Sequence, residues 1–344
     1  MAESEAVPAA GQHVDERLQR QSGLRKLLSR PELGAIAGTV LVFLFFGATA
    51  HGTGMFAADG IMNWITVTAQ LTIIATGAAL LMVGGEFDLS VGSMIGFAGM
   101  MIAIPTVYFG WPIEASVVFA FCGALLIGFL NGLVVVRTRL PSFIVTLASN
   151  FIVIGATMGF SRLVANVTSS SIVSDDSAKF VFAARWGQAN ISILWWLAVA
   201  LVGGFVLGRT TFGNWIYATG GNLQAARGAG VPVERVKVTL FVATGVAAAF
   251  IGVLQGVEWN SGNSTYGMGY VFQAPIVAVI GGVLLSGGYG SVPGIFLGTA
   301  IFGVISTGIF YTGWSTDWIQ LFLGVLLGGA VLANNYVRRL ATTA

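Results

Sequence analysis

Hydrophobic residues in this chain come in long unbroken runs, separated by short polar or Gly-rich stretches. The runs fall at about 33–50, 61–83, 91–109, 112–136, 142–163, 190–208, 238–258, 271–286, 292–312 and 318–335. Most approach the roughly 20 residues that a helix needs to cross the hydrocarbon core of a bilayer. Lipid offers backbone N–H and C=O groups no partner, so such runs form helices that satisfy their own groups. The pattern predicts an all-α polytopic membrane protein with about ten transmembrane helices. Gly-rich turns blur the limits of the third, eighth and ninth runs. Three regions follow: a tail over residues 1–30, a transmembrane domain over 31–336 with a polar segment at 209–237, and a second tail over 337–344.

Charge gives the runs a direction. Basic residues accumulate on the cytoplasmic side of membrane proteins. With a cytoplasmic N-terminus and ten spans in alternation, Arg162, Lys179 and Arg185 fall outside and every other Lys and Arg falls inside. Both termini are then cytoplasmic. Trp64, Trp111, Trp186, Trp195, Trp196, Trp259, Trp314 and Trp318 sit at or beyond outer helix ends, as an interfacial belt does, and Trp215 alone is inner. The first 30 residues are hydrophilic and of mixed charge, so the first run reads as a retained span rather than a cleaved leader. Only 9% of residues are charged, against roughly 25% in soluble domains. The 48 glycines suit helices that approach closely in lipid. A net charge of +2 gives no electrostatic case for a nucleic-acid partner.

Enzyme chemistry finds little support. The three lysines precede Leu27, Phe180 and Val238, so no phosphate-cradling Gly-Lys-Ser/Thr occurs. His13 and His51 lie in a tail and a loop and suggest neither a catalytic triad nor a metal site. Cys122, the single cysteine, falls in an apolar run and reads as packing.

Four stretches hold the polar chemistry. The first is Gly84-Gly85-Glu86-Phe87-Asp88-Leu89-Ser90-Val91-Gly92-Ser93, two acids between two spans. Asp88 or Ser90 can cap the helix beginning near Val91, while an ionisable residue at membrane depth is also a functional suspect, for a transport path or a proton relay. A second glycine cluster, from Gly281 to Gly294, echoes it in Leu-Ser and Gly-Ser-x-x-Gly. Both clusters fall on the inner side, so the echo does not establish an inverted repeat. Third, Gln70, Asn131, Asn150, Gln255 and Gln320 lie inside spans, where each is either interhelical glue or part of a path for a polar solute. Glu114, Glu258 and Asp317 lie at outer ends and read as solvated interface, while the polar outer segment 164–189 reads either as a face for a soluble partner or as a plain solvated loop. Fourth, the inner segment Gly220–Lys237 carries a short Ala-rich helix between two spans, suited to docking on a partner.

Together these blocks resemble the permease subunits of bacterial ABC importers for ribose and related monosaccharides, in the branched-chain amino acid/sugar permease superfamily. The pattern Gly-x-Asp-Leu-Ser-Val-Gly-Ser is similar to Glu86–Ser93, with Glu86 where Gly or His is usual. Pro-Phe-Ile-x-Thr-Leu is similar to Pro141–Leu147, one residue longer. Gly-Gly-Asn-x-x-Ala-Ala-Arg-x-x-Gly runs intact from Gly220, and Leu-Ser-Gly-Gly-x-Gly-Ser from Leu285 to Ser291. The resemblance implies a subunit without cofactor or metal, paired with a second permease copy in the inner membrane. It implies a cytoplasmic ATPase docked on the segment 209–237, through Asn222, Gln224, Ala225, Ala226, Arg227 and Gly230, and a periplasmic binding protein that delivers the solute. It marks Gly85, Glu86, Asp88, Ser90 and Gly92 as a signature turn. Gln70, Asn150, Gln255 and Gln320 are the candidates for the substrate path. The residues leave two alternatives, a secondary transporter coupled to protons through Glu86 or Asp88 and a channel or scaffold with no energy coupling.

Overall fold

Helix limits follow the punctuation of the chain. The computed structural model describes residues 32–342, with side chains described from 34 to 332. The expected tail at 1–30 lies outside the described residues. The described residues form thirteen helices: α1 (Glu32–Thr49), α2 (Ala58–Val83), α3 (Val91–Tyr108), α4 (Ile113–Thr138), α5 (Ser142–Ala165), α6 (Asp176–Phe182), α7 (Ser192–Arg209), α8 (Thr211–Gly221), α9 (Leu223–Gly228), α10 (Val233–Trp259), α11 (Tyr270–Ile280), α12 (Val292–Thr312) and α13 (Trp318–Thr342). Gly84-Gly85 ends α2, and Pro112 and Pro141 stand at the N-caps of α4 and α5. Arg139, Asn166 and Asn260 close α4, α5 and α10 in the left-handed region, a conformation open to few residues other than Gly and Asn.

The fold is all-α and polytopic. Among the described residues seven helices are long and apolar enough to cross a membrane: α2, α3, α4, α5, α7, α10 and α12. The other three expected runs are shorter apolar helices, within α1, α11 and α13. The eighth run departs most from expectation. Predicted over 271–286, it is helical only to Ile280, because Gly281-Gly282 turns the chain and 281–291 is irregular. At 1.5 Å per residue such a helix is about 16 Å long, half a bilayer. The last helix runs on to Thr342, across the boundary expected at 336.

Burial sorts the bundle into a centre and a rim. The apolar windows of α2, α3, α10 and α12 are 72–83% buried, whereas those of α4, α5 and α7 are 17–28% buried. In water such a rim would be unstable; in lipid it is the solvated face. Phe151, Ile152, Leu201 and Phe205 are among the side chains turned outward. At the centre α10 packs on α2, α3 and α4, while α2 packs on α7, α11 and α12. Small residues permit this closeness. A side chain at Gly252 of α10 would overlap the Ile95 carbonyl of α3, and one at Gly303 of α12 would overlap Thr68 of α2.

Contacts divide the connections between two ends. At one end meet the α2–α3 turn, the α4–α5 link, the segment from α8 to α9, the start of α10 and the α11–α12 turn. At the other, the polar segment 164–189 is structured. Ser169–Ser171 (β1) pairs antiparallel with Ser261–Asn263 (β4), and Arg185–Trp186 (β2) pairs with Ala189–Asn190 (β3) in a hairpin. Arg162, Lys179 and Arg185 lie toward this second end, and the other cations of the described side chains lie toward the first.

Candidate functional site

Three glycine pairs converge at the first end. Gly288 N–H donates to the Val83 carbonyl at 2.8 Å. A Cβ at Gly220 would overlap that same carbonyl oxygen and lie 2.6 Å from Gly288 N. A Cβ at Gly287 would lie 2.8 Å from Gly85 Cα, and one at Gly288 2.6 Å from Gly221 Cα. Backbone therefore meets backbone, and no side chain fits between. The junction joins the first glycine cluster, the docking segment and the second glycine cluster, which are remote in sequence.

The two cluster turns are built alike. Gly84 (φ −70°, ψ −1°) and Gly281 (φ −71°, ψ 0°) each end a helix. Gly85 and Gly282 follow at φ +84° and +92°. Glu86 N–H then reaches back to Leu81 O at 3.1 Å, and Val283 N–H to Ala278 O at 3.0 Å. These are Schellman closures, which need a residue free to take positive φ. Both turns lie at the same end, so the units α2–α3 and α11–α12 run in the same direction. Tyr217 of α8 donates its hydroxyl to Gly290 O at 2.8 Å, tying the docking segment to the second turn.

Beyond Gly85 the first turn runs extended, and α5 satisfies it. Phe87 N–H donates to Ser142 Oγ at 2.9 Å, Leu89 N–H to Thr146 Oγ1 at 3.0 Å, and Ser93 N–H to Asn150 Oδ1 at 3.3 Å. Ser142, Thr146 and Asn150 are spaced four apart, so they form one face of α5. Asp88 does not cap α3 through its first-turn donors. Its Oδ1 accepts the Ser90 N–H at 2.8 Å and the Ser90 hydroxyl, while Asn131 Nδ2 donates to Ser90 Oγ at 3.0 Å. Asp88 Oδ2 is buried without a partner. Burial pushes the Asp88 carboxyl, in the turn outside the helices, up to about 6, against the lowering effect of the Ser90 hydrogen bonds. Gly92 lies against Val271 and the Gly267 backbone, at the start of α11. Glu86 forms an ion pair with Lys237 of α10, both largely buried.

The short helix α9 stands beside this pair. Asn222 Oδ1 caps it, accepting from Gln224 and Ala225 N–H at 3.1 and 3.0 Å. Ala226 is buried, whereas Gln224 and Ala225 are exposed. Gly230, at φ +80°, lets Val231 N–H close on Ala226 O. Arg227 bonds Glu234 at 2.7 Å within the chain. Glu86, Arg139, Arg227, Glu234 and Lys237 line a cavity of about 210 Å³ there.

The path candidates separate. Gln255 Nε2 donates to Gln70 Oε1 at 2.9 Å, so these two meet near the second end. Asn150 belongs to the turn, and Gln320 is exposed on α13, apart from both. Residues that sequence reasoning passed over complete both sites: Lys237, Ser142 and Thr146 at one, and Arg185 and Asn190 at the other, where Glu258, expected as solvated interface, is instead largely buried and bonded to Gln70, Arg185 and Asn190. The spacing of Ser142, Thr146 and Asn150 is a legible signal; the pairing of Glu258 is not.

Among the described residues no group of three His, Cys, Asp or Glu can hold a metal ion. A lipid-facing helical bundle with a rigid backbone junction, a capped exposed helix and a polar cavity at the far end defines a membrane permease. The chain belongs to the family described as branched-chain amino acid transport system / permease component, whose model matches residues 60–331. It is 30% identical to the xylose transport system permease protein of Escherichia coli K12, over 92% of this chain and 95% of that one. It is 33% identical to an inner membrane ABC transporter permease protein of the same organism, over 80% and 83%. It is 29% identical to the fructose import permease protein of Rhizobium meliloti, over 92% and 88%.

Three tests follow from this geometry. Gly220→Ala or Gly288→Ala should destabilise the protein by about 2 kcal/mol or more through overpacking and strain. Gly159→Ala, on an open helical face, should stay within about 0.5 kcal/mol; thermal midpoints in detergent decide. Exchanging charges as Glu86→Lys with Lys237→Glu should recover most of the roughly 3 kcal/mol lost in either single variant, since each alone sets two like charges together where both side chains are largely buried. No recovery in the double variant would deny the pair its role. For Asp88 the folded pKa exceeds the unfolded one, so its contribution is full below pH of about 4 and is lost as pH rises through about 6. The midpoint of Asp88→Asn, relative to the parent, should therefore climb across that window and level off above it.

Proposed function

We propose that this chain is the membrane-spanning subunit of an ATP-driven importer that passes a monosaccharide through the bacterial inner membrane. The observation that carries the reading is the docking helix α9. It is capped by its own Asn222, exposed on Gln224 and Ala225, and flanked by the backbone junction. Force applied to such a helix cannot be absorbed by side-chain rotamers in the glycine contact behind it. It moves the ends of α2, α3, α11 and α12 as rigid bodies.

A separate cytoplasmic ATPase supplies that force by seating α9 in a cleft, and a periplasmic binding protein delivers solute at the opposite end. A second permease copy completes the pore. Both chain termini are cytoplasmic in this reading, and the positive-inside rule supports it: Arg137, Arg139, Arg209, Arg227, Arg235 and Lys237 belong to the junction end. The monosaccharide class is carried over from the xylose and fructose permeases to which the chain is similar. Proton coupling has no comparable support. Glu86 and Asp88 are buried at the junction end and engaged with Lys237 and Ser90, while Glu258, also largely covered, is at the opposite end and engaged with Arg185, Asn190 and Gln70. No relay of carboxylates leads from them across the bundle.

The test is ATP hydrolysis by the assembly of this chain, its ATPase and its binding protein in lipid, scanned with sugars and amino acids. A single sugar should raise the rate. Ala225→Trp, which adds bulk to the exposed face of α9, should leave insertion and thermal stability unchanged while reducing ATPase association and uptake about tenfold or more, the loss expected at a buried interface position. Parental association and uptake in that variant would overturn the docking assignment.

A further inference from the structure

The end opposite the junction holds a larger cavity, of about 470 Å³. That lies within the range of small-molecule sites. Its wall is mostly polar: Asn63, Gln70, Arg185, Asn190 and Glu258 line it, together with the rings of Trp259 and Tyr311.

The wall is held in place from several elements. Glu258, near the end of α10, accepts from Arg185 Nη2 at 3.0 Å and from Asn190 Nδ2 at 2.6 Å, both in the β2–β3 hairpin. It also accepts from Gln70 Nε2 of α2 at 2.9 Å. Gln70 Oε1 accepts from Gln255, which also donates to the Tyr270 hydroxyl at 3.0 Å. A carboxylate offers about four acceptor sites and a carboxamide two donors and two acceptors. Glu258 therefore keeps acceptor capacity, and Gln70 keeps a donor and a lone pair. Trp259 is 48% exposed, and the edge-on ring of Tyr266, 5.4 Å away, holds it.

Charge and shape narrow the ligand. The charge of Arg185, the cation of this wall, is offset by Glu258 at 3.0 Å, and Asp59 adds a further negative charge, so the wall carries a net negative charge. That balance disfavours phosphorylated and carboxylated solutes. A branched aliphatic side chain would strand the wall's polar groups without partners, at a cost for each. Hydroxyl groups match it, because each both donates and accepts, and an aromatic face covers the apolar side of a sugar ring.

We infer that this cavity is a binding vestibule for a neutral monosaccharide, in which Asn63, Gln70 and Glu258 take the hydroxyls and Trp259 takes the ring. The inference rests on the importer reading and adds to it a place where the permease itself touches solute.

Asn63 and Trp259 give the cleanest test. Asn63 is exposed and Trp259 is half open, so neither truncation removes a member of the buried network. The complete assembly in proteoliposomes, with binding protein, is offered radiolabelled xylose, ribose and fructose in turn. Uptake and ATP hydrolysis are read together. For the sugar that stimulates hydrolysis, Asn63→Ala should lower uptake per ATP about fivefold, the factor for one hydrogen bond, and Trp259→Ala about tenfold. Parental uptake per ATP in both variants overturns the vestibule and leaves the importer standing. A parental assembly that no sugar stimulates overturns the importer reading and, with it, the vestibule.

Discussion

Everything at the first end of this protein depends on three peptide segments touching through their backbones. The hydrogen bond from Gly288 to Val83, with Gly220 lodged against the same carbonyl, leaves no space for a β-carbon. A contact of this kind is stiff because no rotamer can adjust it. It is also a constraint on sequence that no hydrophobic pattern expresses. Any residue but glycine at Gly220 forces the α2 terminus, the docking segment or the second turn to move. The fold thereby makes one mechanical unit from three places that are far apart along the chain.

The second constraint comes from lipid. A chain that leaves helical geometry near the bilayer must find partners for each freed N–H. The stretch from Phe87 to Ser93 does so on one face of α5, and Ser142, Thr146 and Asn150 are the three partners. This explains in physical terms why the Asp-Leu-Ser-Val-Gly-Ser and Pro-Ser-Phe-Ile-Val-Thr-Leu blocks occur together. One is the irregular strand and the other is the helix face that satisfies it. Ser90 and Asp88 serve the same demand locally, by a turn that closes on itself.

Much of the fold was legible because lipid imposes a coarse rule, an apolar run of sufficient length, and the runs announce themselves. The short Ala-rich helix within Gly220–Lys237 was legible because its pattern is local, and the structure adds its Asn222 cap and its turn at Gly230. The half-length of α11 was not: an apolar run of sixteen residues looks the same whether a glycine pair ends its helix early or not. The network around Glu258 was illegible for another reason. Its partners stand 188, 73 and 68 residues away, and only the folded bundle brings them together. Gln70 and Gln255 were visible singly as polar residues in spans. Gln320, by the same criterion equally good, lies on the exposed face instead, which shows how little polarity alone decides.

Two helices reach from one site to the other. α2 carries Gln70 and ends at the junction residue Val83, about 20 Å further along its axis. α10 carries Lys237 near its start and Gln255 and Glu258 near its end. The two are joined midway, where Thr244 Oγ1 reaches Gly77 O at 3.2 Å. Along both, small residues and close contacts leave little freedom for bending independently. A tilt imposed at the junction must therefore reappear at the glutamine pair. There, Glu258 holds α2 and the β2–β3 hairpin at once. Separating α2 from α10 at that end would loosen the hairpin in the same motion. The polar cavity and the helix α9 are thus connected through α2 and α10 and the packed centre of the bundle.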